Sequence, residues 1–368
     1  MQKKKLWYPE GDNALEETLI GGNPTGMLNF NQSRYSWADK LFKQMLDNTW
    51  FPEEVDTSDE KKSYQSLTKK QQRMYDLVFA QLSFNDSLQA ENLVDNLNGY
   101  ITNKVVNALL TRQAFEEVLH SKSYAVLLSD AVEDTSEIFE LYRADPKLRD
   151  KNTKIAESYS NLIEDGEATK GRLFLAMVAN QLLEGVYFLT GFASIYSLSD
   201  TMRGSADMIA FIHRDEETHL ALFQNMIKTF IRENPDEPWF MYRAQVNNMF
   251  EEAYQLETEW MKYATSGLIS DDVIEATVAY FCRKRAKAIG MYDDEIDVFG
   301  HGYKTVLVKK LESFGSFNET KTNFFEGNVK NYSKGSLNFD EGWLDMDRTE
   351  NFNVKQESYE DAVRKIER

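Results

Sequence analysis

Apolar residues recur every three to four positions over most of the middle of the chain, the period of an amphipathic helix. Up to residue 65 that pattern is interrupted by turn-forming residues, with one short amphipathic segment over 37–45 and a punctuated stretch, W-F-P-E-E-V-D, at 50–56. The first long helix is predicted over 68–98, opened by Thr68 with Gln71 three residues on as a capping box. A second is predicted over 102–132. A polar helix pair over 135–166 belongs on the outside. The stretch 173–198 is nearly all apolar, with Glu184 its sole charge. A membrane span has this length, but Asn180, Gln181 and Glu184 at its centre and the lack of a basic flank favour a helix buried on all sides. A further long helix over 205–233 is stopped by Asn234-Pro235. Two more follow over 238–266 and 271–290, the last ending at a glycine. Beyond Phe325 the period is lost and the chain turns acidic, which predicts an unstructured tail. The expected organisation is an N-terminal arm (1–65), one all-α helical domain (66–325) and a tail (326–368).

Composition narrows this picture. With 42% hydrophobic residues in 368, there is material for one large core. A net charge of −18 argues against nucleic acid as a partner, because phosphate contacts need a basic face. The glycines of G-G-N-P-T-G at 21–26 lack the lysine of a phosphate loop and read as a turn. The single cysteine, Cys282, excludes an internal disulfide and suits a reducing cytoplasm. The basic start M-Q-K-K-K is followed by L-W-Y-P-E, which is no apolar signal core. A soluble, cytoplasmic protein is expected.

Chemistry enters with F-E-E-V-L-H-S-K-S-Y at 115–124. Glu117 and His120 are three apart and so share one helix face within a turn. Tyr124 comes four residues later on nearly the same line. A second carboxylate-x-x-imidazole pair is Glu216 and His219. Lone acids inside apolar helical runs precede both pairs, Asp86 by 31 residues and Glu184 by 32. Glu-x-x-His from two helices plus one acid from each of two others is the ligand set of a carboxylate-bridged dimetal site. Two divalent ions would balance four carboxylates, which unpaired would be costly to bury. Oxygen-rich ligands with two nitrogens suit iron or manganese better than zinc. Asp215, just before Glu216, is placed to fix the free nitrogen of a ligand histidine. Phe188, Phe192, Ile209 and Ile212 fall on the ligand faces.

These motifs, together with L-E-G-x-x-F-x-x-G-F at 183–192, R-D-E-x-x-H at 214–219 and F-F-E-G-N-V-K-N-Y at 324–332, run through nearly the whole chain. The sequence resembles the radical-generating small subunit of class I ribonucleotide reductase. That resemblance implies a ferritin-like fold, a homodimer and a large catalytic subunit as partner. It implies metal ligands at Asp86, Glu117, His120, Glu184, Glu216 and His219, holding two iron or two manganese ions or a mixed pair, with a flavoprotein as activator in some members. Tyr124 matches the tyrosine that becomes a stable radical once the reduced metals meet oxygen or a related oxidant. Trp50 and Asp215 match the residues that pass the radical, and Tyr332 matches the tail tyrosine that hands it to the partner. Cys282 alone cannot supply the dithiol that nucleotide reduction consumes, so that chemistry falls to the partner. One departure is at the end of the chain. L-N-F-D-E at 337–341 looks like the family's docking peptide, yet a further run to Arg368 follows it. A ferritin-like iron-handling protein would use similar ligands but would not need Trp50, a tyrosine four residues after the histidine, or a tyrosine-bearing tail, and a dimetal oxidase of this architecture usually needs a substrate channel in place of the tail.

Overall fold

A computed structural model describes residues 1–160, 163–164, 167–291 and 302–315. Tyr332 and the 337–341 peptide lie outside them. Four long helices form the centre: α3 (Lys69–Glu91), α4 (Lys104–Ala131), a run made of α7 (Lys170–Leu182), a π-helical turn (Leu183–Phe188) and α8 (Leu189–Ser197), and α9 (Arg203–Glu233). They close a ring, α3 packing on α4, α4 on α9, α9 on α7 and α8, and α8 on α3. The remaining helices clad this bundle. They are α1 (Ser36–Asp47), α2 (Glu60–Ser66), α5 (Ser136–Ala144), α6 (Pro146–Ser160), α10 (Trp239–Thr265), α11 (Asp271–Ala288) and α12 (Val306–Gly315). A two-residue hairpin, Ile163–Glu164 with Glu167–Ala168, is the sole sheet among the described residues.

Local chemistry fixes the helix ends. Thr68 and Gln71 form the reciprocal cap on α3, the Thr68 amide donating to Gln71 Oε1 at 2.9 Å. Asn103 accepts from the Val106 amide to start α4, and Thr169 does the same for Arg172 in α7. At the end of α11, Gly290 takes a left-handed φ of 74° and the Met291 amide reaches back to Ala286 O at 3.3 Å, closing the helix.

The run predicted as one apolar helix over 173–198 instead widens into the π turn at the position of Glu184. Such turns insert a residue and re-aim side chains, and they recur at functional sites. The whole run, Lys170–Ser197, has the length and hydropathy to cross a membrane, yet 94% of its apolar window is buried inside the fold. The arm is packed against the bundle rather than loose. Leu19 and Ile20 are buried, Ile20 bridges to Ile101, and Glu17 Oε2 accepts the Lys104 amide at 2.8 Å, where the α4 dipole favours an acid. Trp50 reaches the core from the segment between α1 and α2 and stacks on Phe211, with centroids 5.0 Å apart.

Candidate metal centre

The axis of the bundle is polar. Asp86 of α3, Glu117 and His120 of α4, Glu184 of the π turn, and Glu216 and His219 of α9 are all fully buried. They form two groups, Asp86–Glu117–His120–Glu216 and Glu117–Glu184–Glu216–His219, and within each the candidate ligand atoms lie inside 4.8 Å of one another. Glu117 and Glu216 belong to both groups. His120 Nδ1 is 3.2 Å from Asp86 Oδ1 and from Glu216 Oε1. His219 Nδ1 is 2.8 Å from Glu216 Oε2 and 3.3 Å from Glu117 Oε1. Both imidazoles therefore turn Nδ1 inward.

The donor set fits cations. Asp86 Oδ2, Glu117 Oε2, Glu184 Oε2 and Glu216 Oε1 are buried oxygens without a hydrogen bond. Each such acceptor costs about 1–3 kcal/mol, and more if charged, so four converging on one spot are not packing residues. Burial and the neighbouring carboxylates push Asp86 and Glu184 well above the usual carboxylate range. Burial opposes charge on His120 and His219, but the acids around them outweigh it and raise both well above an ordinary histidine. Without cations the cluster stays buried only by sharing protons; two divalent ions remove that need.

Each imidazole also has an outer acid. His120 Nε2 lies 3.3 Å from Asp215 Oδ2, and His219 Nε2 lies 2.9 Å from Glu116 Oε2. A carboxylate there fixes the ring and leaves Nδ1 free to bind metal. The sequence reading found Asp215 and missed Glu116, although Glu116 stands before Glu117 as Asp215 stands before Glu216. The two outer acids lead to different places. Asp215 Oδ2 accepts from Trp50 Nε1 at 2.6 Å, and Glu116 pairs with Arg112 at 2.9 Å. Burial works against the charge on Asp215, but the His120 hydrogen bond and the Arg214 charge hold it below the usual range. Also missed were the amides that orient Glu184. Gln89 and Gln113 donate to its Oε1 at 2.6 and 2.8 Å, leaving Oε2 free.

Tyr124 is fully buried one turn beyond His120, and its hydroxyl has no hydrogen-bond partner. Burial raises its pKa well above an ordinary phenol, and the charges of Asp86, Glu216 and Glu117 add to that. Phe188, Phe192, Ile209 and Ile212 are all fully buried in the core. The ring set against Tyr124 is Phe79 of α3, edge-on at 5.8 Å, which sequence spacing did not reveal.

Residues 27–293 match the model of the ribonucleotide reductase small chain. The chain is 31% identical over 352 residues to the ribonucleoside-diphosphate reductase subunit beta of Treponema pallidum, covering 93% of this chain and 98% of that one. Its fold is similar to the ribonucleotide reductase R2 subunit from Clostridium botulinum, at a TM-score of 0.79 and 31% identity over 86% of this chain and 99% of that one. It is also similar in fold to the dimanganese(II)-NrdF of Streptococcus sanguinis, at a TM-score of 0.65 and 20% identity over 77% of this chain and 98% of that one. With the family model spanning most of its length, this chain belongs to the ribonucleotide reductase small-chain family, as a class I beta subunit of ribonucleoside-diphosphate reductase.

Proposed function

We propose that this beta subunit generates and stores a one-electron oxidant for a large catalytic subunit, using a dimetal centre held by Asp86, Glu117, His120, Glu184, Glu216 and His219. The observation that carries the reading is the sharing of Glu117 and Glu216 between two ligand groups that each contain one inward Nδ1. The donor set suits two iron ions, two manganese ions or a mixed pair. Bound there, they supply oxidising power through reaction with oxygen or a related oxidant, delivered in some members by a flavoprotein.

The chain's own residues do the rest. Tyr124 would give an electron to the oxidant formed at the centre and its phenolic proton to the neighbouring Asp86 carboxylate, becoming the stored radical. The dry core of Phe79, Phe188, Phe192, Ile209 and Ile212 keeps water and reductants away from it. Asp215 holds the indole N–H of Trp50 and the Nε2 side of His120 together, so that Trp50, Asp215 and His120 form one hydrogen-bonded line out of the centre. Trp50 is the first relay on that line, and Tyr332 makes the hand-off to the large subunit, which performs nucleotide reduction. The working assembly is a homodimer docked on that subunit, with the 337–341 peptide as a docking element, in the cytoplasm. An iron-handling protein would leave the Trp50–Asp215 line without a role.

Electron paramagnetic resonance on metal-loaded protein exposed to oxygen tests the reading. A long-lived tyrosyl radical is expected in the wild type, and Tyr124→Phe should load metal normally but lack that long-lived signal. Full ribonucleotide turnover in Tyr124→Phe would show that the oxidant resides elsewhere and return Tyr124 to packing.

A further inference from the structure

A second line of aromatic side chains, carrying two further tyrosines, leads out from Tyr124. Tyr124 meets Phe79 at 5.8 Å, Phe79 meets Tyr75 at 4.5 Å, and Tyr75 meets Tyr64 of α2 at 5.5 Å, centroid to centroid. Tyr75 is fully buried, while Tyr64 is half-buried at the surface.

Both tyrosines have a carboxylate positioned to take their proton. The Tyr75 hydroxyl is 3.0 Å from Ser205 Oγ, and Ser205 donates its single proton to Glu60 Oε2. With that proton committed, Tyr75 must be the donor to Ser205. Glu60 is itself buried, held by the Gly204 amide at 2.9 Å where α9 begins. The Tyr64 hydroxyl donates to Asp76 at 2.9 Å. Burial raises Asp76 to about 6, and it raises Glu60 above the usual carboxylate range too, so each is a better proton acceptor than an exposed acid.

We propose that Tyr75 and Tyr64 form an exit by which surplus oxidising equivalents leave the dimetal centre for reductants in solution, separate from the Trp50 line. This rests on the dimetal reading above. In the first step Tyr75 gives one electron to a one-electron oxidant formed at the centre, which is reduced by it. The Tyr75 phenolic proton moves to Ser205 Oγ as the Ser205 proton moves to Glu60. In the second step the Tyr75 phenoxyl takes an electron from Tyr64 and regains its proton by the reverse shift, while the Tyr64 proton passes to Asp76. A one-electron reductant of the ascorbate class then returns an electron to Tyr64, which takes its proton back from Asp76. The direction is outward because only Tyr64 reaches solvent.

The test uses metal-loaded Tyr124→Phe, in which the nearest phenol is gone, with ring-deuterated tyrosine incorporated. Samples are mixed with oxygen and freeze-quenched, and metal content and the optical oxidation of the centre are measured alongside. A tyrosyl signal that narrows on deuteration is expected, and it should vanish in Tyr124→Phe/Tyr75→Phe. In Tyr124→Phe/Tyr64→Phe the signal should form but resist ascorbate for several-fold longer. Ser205→Ala, which keeps the Tyr75 ring packed, should slow its formation and covers the case that the Tyr75 variant folds poorly. A centre that oxidises without any tyrosyl signal, or a signal indifferent to Tyr75→Phe and Ser205→Ala, overturns the exit while leaving the dimetal reading standing. Protein that takes up no metal overturns both.

Discussion

Tyr124→Phe should make the metal-free protein more stable. The hydroxyl of Tyr124 is fully buried and makes no hydrogen bond of ordinary geometry, with the Asp86 carboxylate close enough only to raise its pKa, so the fold carries the desolvation cost of a polar group with little in return. An unsatisfied buried group costs about 1–3 kcal/mol, and phenylalanine keeps the ring while removing it. The void left by one oxygen is small, so the expected net gain is about 1–2 kcal/mol. Tyr75→Phe is the internal control. Its hydroxyl is hydrogen-bonded to Ser205 at 3.0 Å, so the same chemical change should cost about 0.5–1.5 kcal/mol. Denaturant unfolding of metal-free protein is the assay, with ions removed by chelation because anything bound only to the folded state adds its own stability. The transition midpoint should rise for Tyr124→Phe and fall for Tyr75→Phe at unchanged slope. A Tyr124→Phe variant destabilised by as much as Tyr75→Phe would mean that the Tyr124 hydroxyl is satisfied, and that its place beside the carboxylates reflects an ordinary buried tyrosine. A gain in stability together with loss of the long-lived radical is the pattern of a residue kept for function.

Replacing Glu184 or His219 by Ala should bring metal content well below two ions per chain while circular dichroism stays helical, because the apolar faces and not the ions hold the bundle; full occupancy would remove them from the ligand set. Trp50→Phe keeps the stack on Phe211 but loses the bond to Asp215, so the radical should form and ribonucleotide turnover with the large subunit should fail; normal turnover would dismiss Trp50 as a relay. Tyr332→Phe should likewise spare the radical and abolish turnover. Cys282 is fully buried, and burial pushes its thiol far above the ordinary range, so thiol reagents should modify the native chain negligibly and the unfolded chain once. Ready labelling of the native protein would contradict that packing.

The convergence of these six side chains was legible because a helix is a ruler. Residues three apart must share a face, and an acid isolated in an apolar run must either find a charge partner or bind a cation. Glu117 with His120, Glu216 with His219, and Glu184 could therefore be placed from local spacing. The contacts that cross from helix to helix had no such ruler. Gln89 and Gln113 on Glu184, and Phe79 against Tyr124, depend on how α3, α4 and the π turn are rotated about their axes. The π turn itself is invisible to a uniform helical period, since it departs from that period for only six residues. Glu116 was a different kind of omission, because its signal was local. The motif is duplicated, and the acid before the ligand glutamate is present in both copies. Trp50 carried no geometric signal of its own; its neighbour Asp215 is distant by 165 positions and is met only in the folded chain.

The central claim is that two cations sit between the paired ligand groups, and anomalous X-ray diffraction from crystals soaked in iron(II) or manganese(II) tests it most directly. The account predicts two anomalous peaks per chain, one bounded by Asp86, Glu117, His120 and Glu216, the other by Glu117, Glu184, Glu216 and His219, with Glu117 and Glu216 touching both. A single peak, or peaks at surface acids with the bundle axis empty, would contradict it.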